Sequence, residues 1–407
     1  MDRPLSHVRV LDLTRVLAGP WAAQNLADLG AEVIKIERPK TGDDTRSWGP
    51  PWLKGADGTD TREAAYFLSV NRGKKSITVD LSKPQGQSLV RDLAAKSDVL
   101  IENYKVGDLA RYGLAYDDLR KANPGIIYCS VTGFGQDGPY AQRPGYDFVF
   151  QGMCGLMSIT GERDDLPGGG PQKVGIAVTD VLTGMYASLA ITAAIAHRQL
   201  TGIGQYIDMA LLDTLVAFNA NSILNYWCSG EIPKRFGNAH SNIVPYEVFP
   251  SADGHIILAV GNDSQFASFC RVAGRPELAA DPRFATNPER VKHRPVLVPI
   301  VQQIVKQRTS HDWIESLEAA SVPCGPINNM REVFENPQVR HRGMRVEIRH
   351  PAGVPCPTVA SPMRFSATPV EHSVPPPLLG QHTRDVLGGV LGLGGAEIDA
   401  LARSGII

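Results

Sequence analysis

Residues 8–37 read VRVLDLTRVLAGPWAAQNLADLGAEVIKIE. Two strand-like runs, Val8–Leu13 and Glu32–Glu37, flank the segment Ala18–Leu29. Pro20 sits near the first turn of that segment and Gly30 falls just past its end, the asymmetry expected of a helix. Strand, helix and strand in so short a span form the unit of a parallel sheet. The alternation continues with strand Ser76–Leu81, helix Pro84–Lys96, strand Val99–Asn103, helix Asp108–Tyr112 and strand Ile126–Val131. This predicts a doubly wound α/β domain. No GxGxxG joins the first strand to the first helix, so a dinucleotide fingerprint is absent.

The longest apolar segment is GIAVTDVLTGMYASLAITAAIAHRQL, residues 175–200. Gly184, Ala187, Ala190, Ala193 and Ala194 recur at helical spacing and let another helix approach closely. So little polar surface predicts a helix buried on most sides. Thr179 and Asp180 are good N-cap types. Asp180 is then either a plain cap, the commoner use, or a carboxylate held beside backbone N–H groups that stabilise an oxyanion.

With 407 residues, two domains are expected. The texture changes after Trp227. Strands Pro245–Phe249 and Gly254–Val260 meet through a turn, and helices follow at Ser264–Ala273, Arg294–Gln307 and Ser310–Ala320. The expected division is a large α/β domain over 1–227, a smaller α+β domain over 228–328, and a linker with a C-terminal return to the large domain over 329–407. A formal net charge of -1 gives no basic bias towards nucleic acid or membrane partners. The longest uncharged apolar run is too short and too rich in small residues for a membrane span. The N-terminus lacks signal-peptide features, so a cytoplasmic location is expected. Six scattered cysteines without a CxxC pair predict neither a disulfide framework nor a metal site.

Two loops interrupt the first domain: residues 38–64, and the Gly/Pro-rich GFGQDGPYAQRPG at 133–145, which leaves the carboxyl end of a strand, where ligands bind in open α/β sheets. Basic residues gather in nearby loops: Arg38, Arg72, Lys74, Lys75 and Arg111. They suit a phosphorylated ligand, or they are a solvated turn. Carboxylates in reach are Asp180, Asp147 and Glu162. His240, in a Gly/Asn-rich loop, is the histidine best placed for a functional role. From the residues alone the chain is an α/β enzyme whose reaction stays open.

The motifs LDLTRVLAGP (11–20), LGAEVIKIERP (29–39), GDDTR (42–46), NRGKKSI (71–77), IIYCSVTGFGQDGP (126–139), GYD (145–147), TDVLTGMYA (179–187) and RFGNAHSNIVPYEVF (235–249) together resemble the class III CoA-transferases, the family of formyl-CoA and carnitine CoA-transferases. The resemblance covers nearly the whole chain. It implies an interlocked homodimer, each chain having a Rossmann-like large domain and a smaller inserted one. It also implies Asp180 as nucleophile, through an aspartyl-CoA thioester. CoA contacts would fall to Val16, Ala18, Arg38, Asn71, Lys74, Lys75, Asn103 and Arg111, and substrate contacts to Arg15, Arg46, Tyr146, Asp147 and His240. The coenzyme A thioester is a substrate, and no permanently bound cofactor is implied. Leu17, Thr132 and the segment Gly237–Asn242 depart from the formyl-CoA transferase pattern. The implied acid is therefore a dicarboxylate larger than oxalate, such as succinate, glutarate, malate or itaconate, with succinyl-CoA as donor. Two alternatives stay open: an α-methylacyl-CoA racemase, which needs a histidine where Tyr146 stands, and a non-catalytic acyl-CoA-binding subunit.

Overall fold

A computed structural model describes residues 3–407, in two compact units. The first gathers residues up to 156, then 174–224 and 338–407. Its centre is a six-stranded sheet: β1 (Arg9–Asp12), β2 (Glu32–Glu37), β3 (Lys74–Thr78), β4 (Val99–Glu102), β5 (Ile127–Thr132) and β6 (Tyr206–Ala210). The spatial order is β3-β2-β1-β4-β5-β6, and every pairing is parallel. This doubly wound order reverses direction between β1 and β4.

Strands buried on both faces send alternate residues to opposite sides. Val10, Val33, Val99, Ile101, Ile127 and Val131 pack with helices α1 (Ala18–Asp28), α5 (Val178–Thr201) and α6 (Leu211–Phe218). Leu11, Ile34, Ile36, Ile77 and Leu100 pack with α2 (Pro84–Ala95), α3 (Tyr116–Ala122) and Val386 of the helix Thr383–Leu391. Helix α4 (Asp147–Met153) follows the 133–145 loop. The outer edge of β3 is closed by distant chain: Ser76 N–H donates to His382 Nδ1 at 3.1 Å and Asp80 N–H to the Ile406 carbonyl at 2.7 Å.

Three expectations need correction. β3 begins at Lys74, two residues ahead of the expected Ser76, because Lys74 is buried as an ion pair and a hydropathy reading counts it as loop. The helix expected at Asp108–Tyr112 is a short 3-10 turn, Leu109–Tyr112, ended by Gly113 at φ 64°. Helix α5 is not buried on most sides. Its small-residue stripe faces α1, where a Cβ on Gly184 would fall 2.6 Å from the Ala18 carbonyl oxygen. Met185, Tyr186 and Leu189 on its other side are exposed. By length and hydropathy this helix reaches the range of a membrane span, which the sequence reading set aside. In the fold it lies packed along α1, α6 and the sheet.

The second unit comprises residues 157–173 and 225–337. It therefore takes in a segment, 157–173, that the expected boundary at 228 assigned to the large domain. Its strands β7 (Tyr246–Pro250), β8 (His255–Ala259) and β9 (Cys324–Gly325) form an antiparallel sheet. Phe249, Ile256, Leu258, Phe266, Phe269, Leu297, Val301 and Trp313 make its core. Buried Arg290 ties it together, donating to the Val244 carbonyl at 2.7 Å and to Asp263 at 2.7 Å.

Candidate active site

The switch point of a doubly wound sheet leaves a crevice at the carboxyl ends of its central strands. Here the ends of β1, β4 and β5 supply residues 15–18, 103–106 and 131–133. With 141–146, Asp180 and Leu211 they line a cavity of about 230 Å³. A second cavity of about 330 Å³ adjoins it, sharing Arg15 and Tyr104, and is lined by Arg38, Asp80, Ser82 and Tyr112 among others.

The turn after β1 shapes both cavities, and it is strained. Val16 adopts φ 71°, a left-handed conformation that costs a β-branched residue about 1–3 kcal/mol. Three groups hold it there. Asn103 accepts from Arg15 N–H at 2.9 Å and donates to the Arg15 carbonyl at 2.7 Å. Asp43 accepts from Val16 N–H at 3.2 Å. Lys35, fully buried, donates to the Thr14 carbonyl at 2.8 Å and pairs with Asp43 at 2.9 Å. Burial opposes ionisation of Asp43, but Lys35 and the Thr45 donors outweigh it and hold the carboxyl down to about 2.

Asp180 sits in the first turn of α5 and is not the cap of that helix. The helix starts at Val178, and the cap position, Ala177, has no side-chain acceptor. Asp147 does the capping from outside: its carboxylate accepts from Thr179 N–H at 2.8 Å and from Gln151 at 2.7 Å. The Asp180 carboxylate is thereby left for the cavity. No cation pairs with it among the described residues. Burial first, and the neighbouring Asp147 charge second, push its pKa up to about 7. Such a carboxylate is poorly solvated and a better nucleophile than one at a surface.

The other predicted residues divide. Val16, Ala18, Asn103, Arg15 and Tyr146 line the first cavity, and Arg38 the second. Asn71 and Lys74 do not reach either. Both are fully buried, with Lys74 donating to Asp12 at 3.0 Å, to Asn71 at 2.9 Å and to the Pro20 carbonyl at 3.0 Å. Burial lowers the Lys74 pKa to about 8 in spite of Asp12. Lys75 is exposed at the amino end of β3, away from the cavities, and bonds Glu32 at 2.6 Å. Arg46 is spent on a bidentate bond to Glu37, 2.7 Å on each nitrogen, and stacks on Phe67. Lys74 and Arg46 are scaffold, because a buried charge persists only when paired, and Asn71 is spent on Lys74. Arg111 is exposed and pairs with Asp108 at 2.6 Å. His240 belongs to the second unit, where its Nδ1 accepts from Asn242 N–H at 3.0 Å.

Sequence reasoning missed three groups. Lys105 and Arg143 line the Asp180 cavity. Tyr66 lies within the electrostatic reach of Asp180: burial, then Asp180 and Asp147, push its hydroxyl up to about 12, so it stays a proton donor. The 133–145 loop, already conspicuous for its glycines at a strand end, was the signal that could have found Arg143.

Fold and cavity define the class, a doubly wound α/β protein with its cleft at the switch point of the sheet and a poorly solvated carboxylate in that cleft. The sequence profile of CoA-transferase family III matches residues 5–383, and the chain belongs to that family. It is an enzyme of that family. The succinate–glutarate CoA-transferase of Agrobacterium fabrum is 50% identical over 401 residues, covering 98% of this chain and 97% of that one. The human succinyl-CoA:glutarate CoA-transferase is 45% identical over 100% of this chain and 90% of its own. The crystal structure of a CAIB/BAIF family protein from Brucella suis superposes with a TM-score of 0.83 at 46% identity, covering 96% of this chain and 100% of that chain.

Proposed function

We propose that the protein transfers CoA from succinyl-CoA to a second dicarboxylic acid, with glutarate the first acceptor to test. The observation that carries this is Asp180: a carboxylate at a helix start, without a cation among the described residues and lining the cavity, with its pKa pushed up to about 7. The names of the most similar relatives support the choice of acids. The Asp180 oxygen attacks the thioester carbonyl, forming a mixed anhydride and expelling the CoA thiolate. The thiolate attacks the Asp180 carbonyl carbon, giving an aspartyl thioester and free succinate. The acceptor carboxylate attacks that thioester, and the released thiolate takes the acceptor acyl group, restoring Asp180. No proton or redox partner is needed, because each step exchanges one acyl–oxygen or acyl–sulfur bond for another. The second cavity, with Arg38, would take the nucleotide end of CoA, and the turn at Val16 its pantetheine arm.

A homodimer working in the cytoplasm completes this reading. The exposed Met185, Tyr186 and Leu189 of α5, with Val216 and Phe218 of α6, form an apolar face that a second copy would cover. Light scattering of the purified protein tests that part. The chemistry is tested by mixing protein, succinyl-CoA and glutarate and following glutaryl-CoA by mass spectrometry. Ping-pong kinetics and a mass increase of one CoA on Asp180 are expected. No exchange with any of a panel of dicarboxylates would sink the reading. Proton exchange at the α-carbon of a 2-methylacyl-CoA would replace it with the racemase alternative.

A further inference from the structure

A dicarboxylic substrate brings a second carboxylate that does not react, and three cations border the Asp180 cavity to receive it. Arg15 is already paired with Asp44 at 3.0 Å. Lys105 is an exposed ammonium three residues past β4. Arg143 differs from both. Among the described residues no carboxylate pairs with it, yet its position is built. The loop that carries it is pinched at its base, where Gly133 and Gly145 pass over the Phe150 ring so closely that a Cβ on Gly145 would lie 2.4 Å from Phe150 Cζ. Phe150 packs edge-on to Phe134 at 5.0 Å, and Phe134 to Tyr140 at 5.6 Å. The Arg143 guanidinium lies on the Tyr140 face, 3.8 Å from its centre, and Arg143 N–H bonds the Tyr140 carbonyl at 2.8 Å. Gln136 fastens the other arm of the loop, through its N–H to Asp208 at 2.9 Å and its side chain to Ser130 at 2.8 Å.

We infer that Arg143 is the specificity residue that receives the distal carboxylate of the acid, presented on a three-ring aromatic column. A guanidinium stacked on a ring has its flat face occupied and its N–H edge free. That edge matches a carboxylate in two parallel hydrogen bonds, which an ammonium cannot do. The stack also fixes the plane of the fork before the acid arrives, so little side-chain freedom is lost on binding. Because donor and acceptor use the site in turn, Arg143 grips succinyl and glutaryl groups alike.

This inference rests on the dicarboxylate-transfer reading, and its test separates the two. Arg143→Gln and Arg143→Lys are assayed with succinyl-CoA and glutarate, and free CoA binding is measured by calorimetry. In Arg143→Gln the KM for glutarate should rise about 10- to 100-fold, more than kcat falls, with free CoA affinity unchanged. Arg143→Lys should recover only part of this. An unchanged glutarate KM, or an equal loss of free CoA affinity, would overturn the assignment while leaving dicarboxylate transfer standing. Failure of the wild-type protein to exchange any dicarboxylate would overturn both. Lys105→Gln serves as the comparison: a larger glutarate effect there than in Arg143→Gln would move the role to Lys105.

Discussion

Two sets of charged residues in the first unit behave in opposite ways. Beneath the turn at Val16, Asp12 pairs with Lys74, Asp43 with Lys35 and Glu37 with Arg46, and all but the edge of Arg46 is sealed from water. Around the cavity, and among the described residues, Asp180 has no cation and Arg143 no carboxylate. The residue types are the same, and only the pairing differs. Charges whose partners are built in serve as frame. Charges left single around a cavity can meet a ligand, and the partners proposed here are the reacting acyl group for Asp180 and the acid for Arg143. The pairing state of a charge separates structure from chemistry better than its position near a cleft does.

The sharpest break between the two sets comes from removing one member of each. Asp180→Ala should reduce CoA exchange by about a thousandfold or more without loosening the fold, read by turnover and thermal melting together. Lys74→Met should do the reverse in kind: it strands the Asp12 carboxylate in a dry interior and costs about 3–5 kcal/mol, measured by urea unfolding. Should Lys74→Met instead melt normally and lose affinity for CoA, the assignment of Lys74 to the frame would be wrong. Gly184→Val probes the helix contact that sets Asp180 in place; forcing a side chain against the Ala18 carbonyl should cost about 1–3 kcal/mol of stability.

The smallest effect tests the electrostatics. An Asp180 that must be ionised to attack gives kcat/KM that rises with pH through about 7. Asp147→Asn keeps the acceptor for Thr179 N–H and removes the like charge, so this acid limb should move to lower pH. An unmoved limb would mean that burial alone raises the Asp180 pKa. The sign on stability is opposite to that on activity. A carboxyl whose folded pKa stands above its unfolded value stabilises the fold below about pH 4, and this is lost as the pH rises to about 7. Asp180→Asn should therefore melt higher than the wild-type protein at pH 8.

The sequence was most legible where burial is continuous. β2 has the bounds expected from its apolar run, and β1 and α1 lie within a residue of theirs. It was least legible where burial depends on a distant partner. Lys74 reads as surface until Asp12, 62 residues away, is known to meet it. The same blindness sent Asn71 and Arg46 into the ligand site on paper and into the frame in space. Asp180 reads locally as a helix cap, because nothing near it shows that Asp147 already caps that helix. The role proposed for it comes from resemblance, and its perturbed acidity from the fold. Arg143 sits in a loop noticed for its composition and its place at a strand end; that Gly133 and Gly145 pinch it against Phe150 shows only in the fold.

The closure of β3 by residues 374–406 also bears on how the chain is made. The first unit's outermost strand is finished by segments synthesised some 300 residues later, with the whole second unit emerging in between. Until those segments are made, the five-residue edge of β3 lacks these partners, and an unpaired edge invites pairing with the wrong strand. The lysines at 74 and 75, one locked inward and one held outward by Glu32, stand at the head of that edge. An exposed charge such as Lys75 at a strand edge disfavours such pairing.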